Sequence, residues 1–333
     1  MTTLLPTKLG FVRPGESELR AGLERALGDA GFELAGGVER RPYAYRTSFP
    51  LEELRVELVG EGHVTLLFKQ LDWDDLEPEA QLAKPRFLHD PGREPAVYAV
   101  LLPQAPSGPP RYFGSAEAGG RRWLFLERVE GRELFQVGDR ELWEAAARWL
   151  GEMHAGFAAL PAAQAEAAHL LVHDAAYHRR WVERARAVDR LAGAHEQVVE
   201  ALAAEPRTVL HGEFYAANVL VARPGCASSR ERVNPMPFDQ RVRVAPVDWE
   251  VAAVGPGLTD LAALVGGWSD EDRGAIAAAY ASVAGGSLAG LDYARLQLAL
   301  QWLGWAPPSW TPPEGQRHDW LAEALELAER LGL

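Results

Sequence analysis

The sequence predicts an α+β protein of two lobes, a small N-terminal lobe built on an antiparallel sheet with a helix and a larger, mainly helical C-terminal lobe. Three observations predict it. Apolar residues alternate with polar ones in several short stretches before residue 128. Long runs of helical periodicity follow residue 139. At 333 residues and 47% hydrophobic, the chain is long enough for two separate cores. The division is placed after residue 128, giving one domain over 1–128 and a second over 129–333.

In the first lobe, residues 48–58 (SFPLEELRVEL) alternate and follow the tyrosine-rich PYAYRT, so they read as a turn leading into a strand. Ser48 in that turn reads as turn-forming. Residues 64–69 (VTLLFK) form a second strand that ends on Lys69. Residues 111–118 and 121–128 form a hairpin around Gly119-Gly120, a pair suited to positive φ. In the second lobe, Asp139 caps a helix that puts Leu142, Ala146, Trp149, Leu150 and Met153 on one face. His154 closes it and, as a lone histidine beside apolar residues, reads as packed core. Further helical runs cover 173–191, 194–204, 270–283, 292–303 and 315–331, around two short β pairs.

The chemistry concentrates in HGEFYAANVLV, His211 to Val221, and VAPVDWE, Val244 to Glu250. Glu213 is followed five residues later by Asn218, in a loop between two short apolar strands, and Asp248 leaves another such strand 30 positions on. Phosphoryl transfer needs a positioned acceptor hydroxyl and neutralisation of charge on the transferring group. Mg²⁺ supplies that charge and prefers hard oxygen ligands, which suits Asp248 and the amide oxygen of Asn218. Glu213 would then accept the proton of the acceptor.

These two blocks resemble the signature of the aminoglycoside phosphotransferase and choline kinase superfamily: His-Gly-Asp, four residues, Asn, then Ile-Asp-Trp-Glu and Asp-Leu-Ala. The resemblance implies a bilobal protein kinase-like fold and transfer of phosphate from ATP or GTP, with Mg²⁺, to a hydroxyl of a small molecule such as an aminoglycoside, amino alcohol or sugar. It puts Glu213 at the catalytic position, Asn218 and Asp248 at the metal positions, and His211 and Asp260 where they brace the loop. Glu213 stands where the family has aspartate. The carboxyl is one methylene further from the backbone, and misplacement by about 1 Å can cost on the order of 10²-fold in rate.

The resemblance also implies a lysine on the α and β phosphates. Of the lysines in the lid before Pro85, Lys69 lies on a strand and Lys84 does not. A lysine there also reads as protection of an edge strand. Its partner would be Glu94, with Glu79 as the alternative. Since the residue before proline avoids the α region, Glu94 is expected to cap a helix with Pro95 in its first turn. After the hairpin, backbone groups near Glu127 to Val129 would meet adenine.

Residues 222–243, rich in Pro, Ser, Gly and charge, read as a loop inserted between the strands that carry Asn218 and Asp248. Its Arg-Glu-Arg group would select a substrate if the loop leaned over the acceptor. Eleven tryptophans include Trp302, Trp305 and Trp310 near a proline-rich turn. Such rings attract organic cations, but at helix ends they read first as packing.

A net charge of −13 argues against nucleic acid as partner and suits a cationic acceptor. The single cysteine, Cys226, excludes an internal disulfide and fits a reducing compartment. No apolar run approaches the ~20 residues of a membrane span, and the N-terminus lacks a signal-like core, so a cytoplasmic protein is expected. Two classes of function remain: an active small-molecule kinase, which the intact metal positions favour, and a nucleotide-binding pseudokinase with a regulatory role. A protein kinase is disfavoured, since the Gly-rich, Asp-Phe-Gly and Ala-Pro-Glu elements are missing from the sequence.

Overall fold

The computed structural model describes residues 13–43, 48–185, 195–222, 242–305 and 318–333. The chain divides into two compact units, Met1–Pro95 with Pro110–Arg128, and Ala96–Pro109 with Val129–Leu333.

The first unit is an antiparallel sheet of β1 (Leu34–Pro42), β2 (Leu51–Leu58), β3 (Gly62–Gln70), β4 (Tyr112–Ala118) and β5 (Arg121–Glu127), in the order β1-β2-β3-β5-β4. Alternation decides its faces. In β2, Leu54, Val56 and Leu58 are buried while Glu53, Arg55 and Glu57 point away. The helix Glu16–Asp29 contributes Leu19, Leu23, Ala26 and Leu27 to the same core, which also holds Phe68, Phe113, Trp123 and Phe125. Each such large side chain stabilises the fold by about 1.5–3 kcal/mol relative to exposure.

Neither that helix nor β1 has a sequence signal of the strength that marks β2 to β5. In β1 (LAGGVERRP) two adjacent glycines interrupt the alternation and no large aromatic is present. In the helix, Gly22 sits where a Cβ would strike the ring of Trp123, so its apolar stripe is broken by a residue chosen for close packing. The strand expected from residue 48 starts at Leu51.

The second unit carries six short strands among the described residues: β6 (Arg132–Glu133), β7 (Leu171–Val172), β8 (Arg207–Leu210), β9 (Val219–Ala222), β10 (Arg243–Pro246) and β11 (Ala253–Pro256). They form two three-stranded sheets, β10-β9-β6 and β7-β11-β8, where the sequence suggests two pairs. The third strands, β6 and β7, are two residues long, too short for any periodic signal.

Asp139 caps the helix Arg140–Gly156, its side chain accepting from Glu141 N at 3.2 Å, and the five expected apolar positions are buried. This helix packs on Asp270–Ala284 so closely that a Cβ on Gly151 would lie 2.7 Å from the carbonyl oxygen of Tyr280. Helices Ala175–Ala185, Leu258–Leu264 and Trp320–Leu331 pack around Leu291–Trp305. Residues 96–109 join this unit: Val97 and Leu101 are fully buried, and Trp149 Nε1 donates to Ser107 O at 3.1 Å. Among the described residues no helix is long and apolar enough to cross a membrane.

Candidate functional site

In the second unit, strand ends converge on one loop. β8 delivers His211 and β9 begins after Asn218, while β10 pairs antiparallel with β9, Pro246 opposite Val219, and so delivers Val247 and Asp248 beside Asn218. The two arms are joined by Val247 N donating to Asn218 O at 2.9 Å. His211 Nε2 donates to Val247 O at 2.9 Å, and its Nδ1 accepts from Glu213 N at 3.3 Å. One neutral tautomer satisfies both contacts. Burial pushes the His211 imidazole below its ordinary pKa, against the opposing pull of Asp260, the Val247 carbonyl and Asp248. It is a fixed strut rather than a proton carrier.

Asp260, 1% exposed in the helix Leu258–Leu264, grips the base of the loop. Its carboxylate accepts from His211 N at 2.6 Å and Gly212 N at 2.9 Å. Gly212 turns at φ +87°, and a Cβ there would overlap the Val251 carbonyl, so no other residue fits without displacing the backbone. Phe214, fully buried, stacks on Trp149 with centroids 6.1 Å apart, anchoring the loop to the helix core.

Glu213 is held by its backbone on both sides. Its N–H donates to His211 Nδ1, and its carbonyl accepts from Asn218 Nδ2 at 3.0 Å. The second bond fixes the orientation of the Asn218 amide, because only the NH₂ end can donate, so Oδ1 is left as the acceptor. Asp248 has φ +67°, a strained region for a residue with a side chain. The structure therefore joins Glu213, Asn218 and Val247, the residue before Asp248, in one knot of hydrogen bonds, with His211 and Asp260 beneath. Among the described residues no group of three or more His, Cys, Asp and Glu gathers as a metal centre. The donors present, one carboxylate and one amide oxygen, are a set that suits Mg²⁺ completed by phosphate oxygens and waters.

In the first unit, Lys69 lies on β3, the middle strand, paired with Leu51 on β2 and Leu124 on β5, so it guards no edge. Its ammonium donates to Glu94 Oε2 at 2.7 Å, with both residues at most 5% exposed. Glu79, by contrast, is exposed. The helix of Glu94 starts one residue early: Arg93–Ala96 is α-helical, so Glu94 lies within the first turn instead of capping it, and Val97–Leu101 follows as a π turn. Pro95 needs no N–H donor there, and the ion pair offsets the α conformation that proline disfavours in its predecessor. Lys84, which the sequence gives no strand, is also buried, and both ammonium groups lie over the Phe49 ring, at 5.0 Å for Lys69 and 5.6 Å for Lys84. Ser48 offers its carbonyl to Glu77 N at 2.9 Å.

Glu127 and Val129 fall in different units. The Glu127 carboxylate accepts from Arg111 N at 2.9 Å, and Val129 is 7% exposed. His154 is core, its Nδ1 2.9 Å from the Tyr280 hydroxyl. The 222–243 insertion, with its Arg-Glu-Arg group and Cys226, lies outside the described residues except at its ends, as does Trp310.

Tyr215, Ala216 and Ala217, the residues just after Glu213 and Phe214, form one wall of a cavity of about 470 Å³ lined also by Trp143, Trp302 and Trp320. Burial, with the Glu213 charge added, holds the Tyr215 hydroxyl well above its ordinary pKa. No site residue is legible in this wall from the sequence. Its only hint was the surplus of tryptophans, and of the expected cluster Trp302 and Trp305 meet at 5.6 Å while Trp302 also stacks on Trp320.

Residues 82–228 match the model of the APH family, described as the phosphotransferase enzyme family. No curated protein matches the chain. Several solved structures share the fold. The macrolide 2'-phosphotransferase MphH from Brachybacterium faecium is 21% identical, with 83% of this chain and 89% of that one covered and a TM-score of 0.53. The GDP complex of aminoglycoside 2'-phosphotransferase-IIIa is 14% identical, covering 95% and 98%, at 0.52. A Plasmodium vivax ethanolamine kinase is 10% identical, covering 89% and 82%, at 0.54. Residues 82–228 are thus similar to the phosphotransferase enzyme family, and the chain shares its fold with solved small-molecule phosphotransferases and kinases.

Proposed function

We propose that this enzyme transfers a phosphoryl group from ATP or GTP to a hydroxyl of a small molecule, with Glu213 as base and Asn218 and Asp248 as holders of Mg²⁺. The observation that carries the proposal is the hydrogen-bonded knot that joins Glu213, Asn218 and the residue before Asp248. Bound Mg²⁺ would neutralise charge on the nucleotide phosphates. Glu213 would accept the acceptor proton as the hydroxyl oxygen bonds to phosphorus. With its N–H and carbonyl both engaged, it reaches only by its side chain, whose extra methylene shifts the acceptor outward relative to an aspartate. Asp260 and His211 would act as positioning residues.

Lys69, oriented by Glu94, would hold the α and β phosphates, and backbone groups around Glu127 and Val129 would meet the base. Nucleotide complexes among structures of the same fold, with GDP and with ADP, support a nucleotide site of this kind. One observation favours a second reading, a nucleotide-binding module without transfer: glutamate at 213 in place of aspartate. Nucleotide turnover with a panel of small alcohols separates the two. Loss of turnover in Glu213→Gln with unchanged nucleotide affinity supports the first, and nucleotide binding without transfer to any alcohol supports the second.

A further inference from the structure

The cavity behind Tyr215 differs from what the acidic sequence leads one to expect of an acceptor site. Its volume, about 470 Å³, is in the range of small-molecule pockets. Its walls are flat and apolar: Phe135, Trp143, Tyr215, Leu298, Trp302 and Trp320 all face it. Phe135 is 57% exposed while doing so, an aromatic ring left facing solvent. Trp302 and Trp320 stack within 11° of parallel, 5.6 Å apart, giving one side of the cavity a broad ring surface.

The charges in the lining are already matched. Glu323 is the single carboxylate among the described lining residues. Its Oε1 accepts from Arg295 Nη2 at 3.0 Å and its Oε2 lies 2.6 Å from His318 Nε2. Arg295 in turn donates its other nitrogen to Asp292 Oδ1 at 2.9 Å. An ammonium group entering the cavity would have to displace one of these partners to reach a carboxylate, and would face a guanidinium in doing so. The overall charge of −13 therefore says little about this surface.

We infer that the acceptor is a hydroxyl compound with a flat, apolar body and few or no amino groups, stacked against Trp302 and Trp320, with its hydroxyl toward the Tyr215–Ala217 wall, which follows Glu213 in the chain. The inference rests on the phosphotransferase reading of Glu213 and adds the chemical class of the substrate. Aromatic walls bind such a body by contact area and ring stacking, with no need for a charge partner.

The test uses two probes on the full chain, 2-(2-naphthyl)ethanol as the apolar alcohol and kanamycin as the polyamino one. Binding is followed by calorimetry and transfer by phosphorylated product. The naphthyl alcohol is expected to bind at least tenfold more tightly than kanamycin. Trp320→Ala should weaken it tenfold or more, raising KM with little change in kcat, and Phe135→Ala, a surface change that leaves the core intact, should weaken it about threefold. Glu323→Gln should leave it unchanged. Tighter binding of kanamycin, lost in Glu323→Gln, overturns the inference, as does failure of the naphthyl alcohol to bind. If that alcohol binds, loses affinity in Trp320→Ala, and yet is never phosphorylated, the cavity assignment stands and the transfer reading falls.

Discussion

The two clusters of polar residues proposed to act in catalysis are built by opposite means. Lys69 and Glu94 hold each other directly, side chain to side chain, in a buried setting. Glu213, Asn218 and Asp248 are held mainly through the backbone, by the His211, Asp260 and Val247 contacts around them. In the first cluster the working groups are themselves part of the fold. In the second the bonds that position Glu213 run through its N–H and carbonyl, which a change confined to the end of its side chain leaves in place. Stability and activity should therefore respond differently to mutation in the two places.

The largest expected effect is on rate. Glu213→Gln keeps the length of the side chain and both backbone bonds but removes the base, so transfer to an alcohol should fall by about 10²–10⁴-fold, the usual worth of a general base. The melting temperature should stay within about 2 °C for a chain of this size, since glutamine keeps the shape of the side chain and both backbone bonds. A variant that loses several degrees would show that the carboxylate, too, is structural, and the contrast would disappear.

The ion pair should answer in the opposite way. Glu94→Ala leaves the Lys69 ammonium in a buried site without its carboxylate, at a cost of about 3–5 kcal/mol in unfolding free energy. The double change Lys69→Met with Glu94→Leu should recover most of that stability, because it removes both charges from the same site, while leaving nucleotide affinity low. Denaturant unfolding of the two variants reads the difference. Equal loss in single and double variants would mean that shape at this site, and not charge, is what matters.

Asp260→Asn probes the join between the two strategies. The asparagine would turn one NH₂ toward the N–H groups of His211 and Gly212, leaving at least one of them unpaired, and about 1.5–3 kcal/mol should be lost. Because those groups carry the loop, activity should fall in the same variant, with KM for nucleotide changed less than kcat. Loss of stability with unaltered kcat would detach the brace from the chemistry.

How legible each part was in the sequence follows from the same contrast. The loop could be read because its chemistry needs fixed residue types at fixed spacings: His211, Gly212 and Glu213, then Asn218, then Asp248 at a strand end. Strand β2 was legible because one face is buried and the other wetter, which writes a period of two into the chain, whereas β5, with Trp123 to Leu126 all buried, was legible through the Gly119-Gly120 turn that pairs it with β4. The first helix and β1 were not, since Gly22 and the Gly36-Gly37 pair serve packing and backbone geometry that local periodicity does not encode. Lys84 was passed over because its value depends on Phe49, 35 positions earlier. The cavity was hardest of all. Tyr215, Trp302 and Trp320 meet only through tertiary packing, and Glu323 looks like a free acid until Arg295 and His318 are seen against it.

The smallest effect is set by acid. Burial lowers His178 in the second unit to a pKa of about 4, and burial with Lys84 and Arg86 lowers His89 in the first to about 4 as well, while His211 is shifted in the same direction. An unfolded histidine titrates near 6.5. Between about pH 6.5 and pH 4 the unfolded chain therefore binds protons that the folded chain refuses, so stability is full above that window and declines as pH falls through it. Each histidine adds a slope of at most about 1.4 kcal/mol per pH unit, less for the more exposed His89. His178→Phe should flatten the decline measured by urea unfolding between pH 7 and pH 5, and His89→Phe should do so more weakly. Since the His211 ring also supports Glu213, turnover measured at saturating substrate should drop with acid before the fold is lost. A rate that holds constant down to the onset of unfolding would mean that the strut tolerates its proton, and that the backbone bonds from Asp260 alone are enough to hold the loop.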